Sequence, residues 1–188
     1  MLKTRLARLP ALLLGAQIAL IITGGAVRLT KSGLGCPTWP ECAKGSYLPS
    51  VHQSEPLINI WIEFANRMLT FVLVLVAIVT FGWVLKTGRK NLRLLAFLQI
   101  LGILGQGVLG GITVLTDLHP LPVAGHFLLS IFLISGAISL RYEMVGVVKE
   151  TAIGLAKPIL PLLIWLTLFV LIAGTIVTGS GPHAGDEQ

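Results

Sequence analysis

Three groups of residues carry the chemistry of this sequence. The first is the chain's two cysteines, Cys36 and Cys42, in the stretch GLGCPTWPEC. Their spacing is neither the C-x-x-C of a thioredoxin nor the C-x-x-C-H of covalent haem attachment. The second group is Glu63, Asn66 and Arg67, at i, i+3 and i+4 in INIWIEFANRMLTF, which places them on one face of a helix. The third is His126, in PLPVAGHFLLS. Imidazole is the commonest metal ligand, and Gly125 clears space beside the ring. Arg28, where the first apolar run ends, adds a cation that either snorkels to headgroups or pairs with a ligand carboxylate.

These residues need elements to hold them. The chain has 188 residues, 54% hydrophobic and 12% charged, with a mean hydropathy of +0.87. A soluble domain carries about a quarter charged residues, so this chain has too little polar surface to face water. Five apolar segments, 10–28, 58–85, 94–116, 121–140 and 158–178, are long enough to span a bilayer. Helices satisfy their own backbone hydrogen bonds in lipid. The fold class is therefore all-α: a polytopic membrane bundle of five transmembrane helices. Lys3, Arg5 and Arg8 ahead of the first segment also fit a cleaved signal peptide, but the apolar run exceeds that of such a signal.

Basic residues set the orientation. Lys3, Arg5, Arg8, Lys86, Arg89, Lys90, Arg93, Arg141, Lys149 and Lys157 make ten of the fourteen Lys and Arg residues, and all fall on one side. That side is the cytoplasm, N-terminus included. The formal charge of +6 is thus a topology signal. No basic face on a soluble module exists to bind nucleic acid. The loop 29–57, the turn near 117–120 and the tail from 179 lie outside, where disulfides persist.

Glu63 and His126 each stand about five residues past an outer helix end, roughly 7–8 Å deep. Charges in mid-membrane cost about 2.5–3.5 kcal/mol each. Glu63 and Arg67 are either a self-neutralising pair that fixes helix packing or the polar wall of a pocket. His126 is either a hydrogen-bonded core residue or a ligand. His52, His119 and His183 are also at or beyond the outer boundary. Spacing alone gives an outer-leaflet cofactor or quinone site. Haem suits it, with an axial nitrogen, cations for propionates and apolar walls. Gly107 and Gly111 form a GxxxG, with Gly102 and Gly110 nearby; small residues either let helices approach closely or make room for a flat ligand. An echo between ITGGAVRLTKSGLG and IAGTIVTGSGPHAG divides the chain into a four-helix unit, 1–157, and the start of a second, 158–188.

The stretches GGAVRLTKSGLGCPTWPEC, IEFANR, PLPVAGHFLLS and GTIVTGSGPHAGD together resemble the haem A synthase (Cox15/CtaA) family, with actinobacterial members nearest in character. The resemblance implies an integral membrane enzyme of eight helices in two similar four-helix halves, in the bacterial cell membrane. It implies oxidation of the C8 methyl of haem O to a formyl, giving haem A for cytochrome oxidase, by successive hydroxylations and loss of water. It assigns Glu63 as the required glutamate, His126 as an axial ligand of haem iron, and Cys36 and Cys42 as a disulfide, with Asn66, Arg67 and Arg28 about the cofactor. His183, in GSGPHAGD, matches the segment after helix 5. Haem b is a second haem of such a site. Implied partners are membrane lipid, haem O synthase, an extracytoplasmic thiol–disulfide protein and a second copy of the chain.

Two departures stand out. The family's Glu-x-x-His reads Glu63-Phe64-Ala65-Asn66 here, which leaves His126 as the protein ligand of this half and Asn66 to hydrogen-bond water or substrate. Helices 6–8 are missing, so the chain reads as a truncated member. A ring closed by Cys36 and Cys42 is worth about 2–2.5 kcal/mol on chain-entropy models. That fits a staple equally with a thiol–disulfide function or a loop locked over the haem entrance, with Trp39 as an interfacial anchor. The competing functional reading is a haem-carrying electron-transfer membrane protein that oxidises no substrate; a third is an assembly subunit without cofactor.

Overall fold

The structure is a computed structural model that describes residues 8–49, 55–146 and 156–180. Among them are five α-helices: α1 (Arg8–Leu29), α2 (Leu57–Lys86), α3 (Lys90–Leu115), α4 (Pro120–Val145) and α5 (Ala156–Ser180). All five are long and apolar enough to cross a membrane. With 22 to 30 residues each, they run about 33–45 Å at 1.5 Å per residue. The protein is a multi-pass membrane protein.

The helices α1 to α4 close a ring. Each packs against its two neighbours, α1 on α2, α2 on α3, α3 on α4 and α4 back on α1, whereas α5 touches α4 alone among the described helices. Leu13, Leu73, Ala77, Ile103, Leu133 and Leu140 fill the ring's core. Across its diagonal, Gln17 of α1 donates through Nε2 to Gln99 Oε1 of α3 at 2.7 Å, both residues being buried. Glycine lets α3 and α4 meet. A Cβ built on Gly102 would stand 2.5 Å from Leu133 Cδ2, and one on Gly136 would collide with the Gln99 amide. The GxxxG glycines of α3 do not make this contact: Gly107 faces open space and Gly111 faces Trp39 of the α1–α2 loop.

Two ends result. One gathers Lys86, Arg89, Lys90 and Arg93, with Arg89 donating to the Glu143 carbonyl at the end of α4. There Gly146 caps α4 in the left-handed conformation, φ 67°. The other, the loop end, holds Leu29 of α1, Leu57 of α2, Leu115 of α3 and Pro120 of α4, and the loop between α1 and α2 folds over it. His119 caps α4 there, its Nδ1 accepting from Leu121 N at 3.3 Å. This gives His119 a structural task. His52 and His183 lie outside the described residues.

Candidate functional site

Cys36 and Cys42 form a disulfide. Both are buried, in a cluster with Ile60 of α2 and Phe64 packed against it. The loop sits directly on the start of α2: a Cβ on Gly35 would come within 2.8 Å of the Asn59 carbonyl oxygen, so only glycine permits that approach. Trp39 then crosses to α3. A Cβ on Gly111 would stand 2.5 Å from Trp39 Cδ2, and the residue as a whole is 42% exposed. Trp39 is therefore docked on the bundle rather than simply anchored in the interface.

The loop is held by α2. Arg67 donates from Nη1 to the carbonyls of Thr38 (2.9 Å) and Glu41 (3.2 Å), and from Nη2 to that of Cys36 (2.6 Å). Its Nε and Nη2 both donate to Glu63 Oε1, at 3.1 and 2.5 Å. Glu63 Oε2 accepts from Cys36 N at 2.6 Å. The carboxylate is nearly sealed, with 5% of Glu63 exposed. Neither sequence-level reading of the pair was complete. It does not pack helix on helix; it binds the disulfide loop to α2.

Asn66 parts company with these two. Its Oδ1 accepts from Thr23 Oγ1 of α1 at 2.7 Å. Residues at i+3 and i+4 fall about 60° to one side and 40° to the other of residue i, so Asn66 turns to α1 while Arg67 turns to the loop. The expected single polar face is split by that angle.

His126 lies six residues into α4, as Glu63 lies six into α2, about 9 Å along each axis. Its Nδ1 is buried and has no hydrogen-bond partner. The glycine against the ring is Gly110 of α3, where a Cβ would make an ordinary contact at 3.5 Å from His126 Cε1, and not Gly125, which faces nothing within 4 Å. The backbone below is fixed: Gln106 Nε2 donates to the His126 carbonyl (2.9 Å) and to Ser130 Oγ (2.6 Å). The loop and His126 are thereby neighbours through adjacent glycines of α3, Gly111 under Trp39 and Gly110 against the imidazole.

Arg28 stands elsewhere. It lines a groove of about 310 Å³ with Phe127 and Val123 of α4 and Gly174, Thr175 and Thr178 of α5. Glu63, Asn66, Arg67 and His126 do not line it. The five residues thus divide between four settings: the loop clamp of Glu63 and Arg67, the Asn66 contact with α1, the imidazole on α3 and the α4–α5 groove. Sequence reasoning passed over Gln17, Gln99 and Gln106. Their signal was legible, since a buried amide in an apolar span needs a partner.

Comparison with known proteins agrees with this architecture. Residues 7–184 match the family model COX15-CtaA, described as a cytochrome oxidase assembly protein. A heme A synthase of Lysinibacillus sphaericus is 37% identical over 130 residues, 67% of this chain and 40% of the relative. One of Shewanella oneidensis is 32% identical over 178 residues, 86% and 52% respectively. One of Exiguobacterium sibiricum is 28% identical over 172 residues, 88% and 56%. The chain spans about half the length of these relatives. No solved structure matches it. The model match runs from α1 through α5, and by it the chain belongs to the COX15-CtaA family of cytochrome oxidase assembly proteins.

Proposed function

We propose that this protein acts as a haem A synthase, an oxidoreductase that converts the C8 methyl of haem O to a formyl group. Family membership and the names of the relatives support the reading. Residues 1–157 are then the first four-helix half and 158–188 open the second. The basic end faces the cytoplasm by the positive-inside rule. The Cys36–Cys42 loop then faces outward, with its sulfurs buried against α2.

One observation carries the reading at the level of residues: the orphaned His126 Nδ1. A buried polar atom without a partner costs about 1–3 kcal/mol, so no hydrogen bond at Nδ1 explains why an imidazole is buried here, and the ring is the group of this half that would offer a nitrogen to haem iron. A single axial imidazole is sufficient to hold haem in many proteins. His126 would then hold the iron, with Gly110 of α3 against its ring. Arg28, a cation lining the α4–α5 groove, suits a propionate. Iron-porphyrin supplies the oxidation chemistry when bound. Glu63 supplies the proton site. Its Oε1 is saturated by two N–H donors from Arg67, so the proton goes to Oε2, which keeps a lone pair beyond its bond to Cys36 N. Asn66 orients substrate or water.

The experiment is expression of the whole protein in an aerated host that makes haem O, followed by extraction of its haems. A formyl-bearing product is the expected result. Bound haem with no formyl product would make the protein an electron carrier, and a colourless purified protein would overturn both.

A further inference from the structure

The reading above gives iron to His126 and proton transfer to Glu63, and it leaves the task of Arg67 open. A propionate partner does not fit its geometry, because all three guanidinium nitrogens are spent within the protein. Three of the acceptors, the carbonyls of Cys36, Thr38 and Glu41, belong to the disulfide ring itself. The other is Glu63 Oε1. Cys36, whose sulfur closes the ring, is gripped at both backbone groups: its N–H by Glu63 and its carbonyl by Arg67. Only 17% of the Arg67 side chain and 6% of the Glu63 side chain are exposed, so water competes weakly for these bonds. A planar five-donor fork can span carbonyls and a carboxylate at once; an ammonium cannot.

We propose that Arg67 is a positioning residue that ties the Glu63 carboxylate to the closed Cys36–Cys42 ring, so that the redox state of the cysteine pair is felt at Glu63. The proposal rests on the reading of Glu63 as the group that works on the substrate. The coupling is reciprocal. Arg67 needs three carbonyls held close together, which ring closure provides, so its bonds favour the closed ring by as much as closure favours the bonds. Opening the ring takes two electrons and two protons from a dithiol, which leaves as a disulfide. The backbone of 36–42 is then released, and Glu63 Oε2 loses its fixed amide donor.

The test reads the cysteine pair directly. Membranes holding the whole protein are equilibrated across dithiothreitol redox buffers, and the free thiols are alkylated and counted. Arg67→Met should raise the equilibrium constant for reduction about tenfold, a midpoint shift of about 30 mV. Arg67→Lys keeps the charge without the fork and should shift the constant about threefold. Asn66→Ala, on the same helix but bonded to α1, should leave the midpoint in place. Where the protein makes haem A, Arg67→Met should lower kcat about tenfold with the KM for haem O unchanged. Reducing the wild-type disulfide should cost a similar factor, and reducing it in Arg67→Met should cost less than about twofold more. An unmoved midpoint in Arg67→Met overturns the proposal, as does a fully additive loss of kcat. If Arg67→Met fails to accumulate, Arg67→Lys carries the same measurement with the buried charge preserved. Failure of the wild type to make haem A would overturn the functional reading alone, because the midpoint is read without turnover.

Discussion

Glu63 on α2 and His126 on α4 stand at the same depth from the loop end, and the protein treats them in opposite ways. Around Glu63 every polar atom is engaged: both carboxylate oxygens and all three nitrogens of Arg67 have partners. At His126 the backbone is firmly held through Gln106 and Ser130, yet Nδ1 is buried with nothing to bond. Depth is alike in the two places; completion is not. The α2 site is finished by the protein's own loop. The α4 site retains an imidazole nitrogen without a protein partner.

The largest effect should come from Glu63→Gln, which attacks the finished site. Glutamine has one acceptor oxygen where the carboxylate has two, so it can serve Cys36 N or Arg67 but not both, and the proton site is lost as the loop clamp weakens. Haem A formation should fall by at least about 10²-fold, the scale of a positioned proton-transfer group, with bound haem retained in the absorbance spectrum. Activity within about tenfold of wild type would make Glu63 a loop clamp and nothing more.

His126→Ala attacks the unfinished site. Haem co-purifying with the protein should drop more than about tenfold, the lower bound set by what loss of a mere outer-shell partner costs. The disulfide and the protein level should hold, because no hydrogen bond from the imidazole supports the loop. An unchanged spectrum would place the iron ligand elsewhere.

Much of this was legible beforehand, and the reason is lipid. Spans of 10–28 and 58–85 became α1 at Arg8–Leu29 and α2 at Leu57–Lys86, since an apolar run of that length has no other stable form in a bilayer. The misses sit where helices leave the apolar region. The span 121–140 omitted Arg141–Val145, because Arg141 and Glu143 break the apolar run although the helix continues and buries Met144 in the core. Within the site, the types and depths of Glu63 and His126 were legible, but their partners were not. Arg67 reaches carbonyls 26 to 31 residues away in sequence, and main-chain carbonyls leave no mark in a residue pattern. The glycine against His126 lies on α3, not beside it in sequence, for the same reason: packing partners come from the tertiary fold.

Cys36→Ser tests whether the finished site depends on its covalent bond. The ring of six residues' separation should contribute about 2–2.5 kcal/mol, read as a lowered denaturation midpoint in detergent. Because Glu63 is bonded to the Cys36 amide, haem A yield should fall further than protein level. Equal losses in the two would reduce the disulfide to a staple.

The smallest effect belongs to Asn66→Ala, and it separates the two faces of α2 most cleanly. The side-chain bond from Thr23 would go, leaving a partly buried hydroxyl that still bonds the Ala19 and Leu20 carbonyls of its own helix. A hydrogen bond of this kind contributes about 0.5–1.5 kcal/mol net, and the fallback acceptors put the cost near the lower end. The change should therefore be a small fall in stability of the α1–α2 contact, with no change in loop alkylation. If Asn66 orients substrate, haem A turnover falls in this variant while stability barely moves. If it only joins α1 to α2, turnover follows stability. A loss of activity without a loss of stability would extend the working site from the loop clamp round to the α1 side of α2. That would undo the division in which α2 is finished by its loop alone.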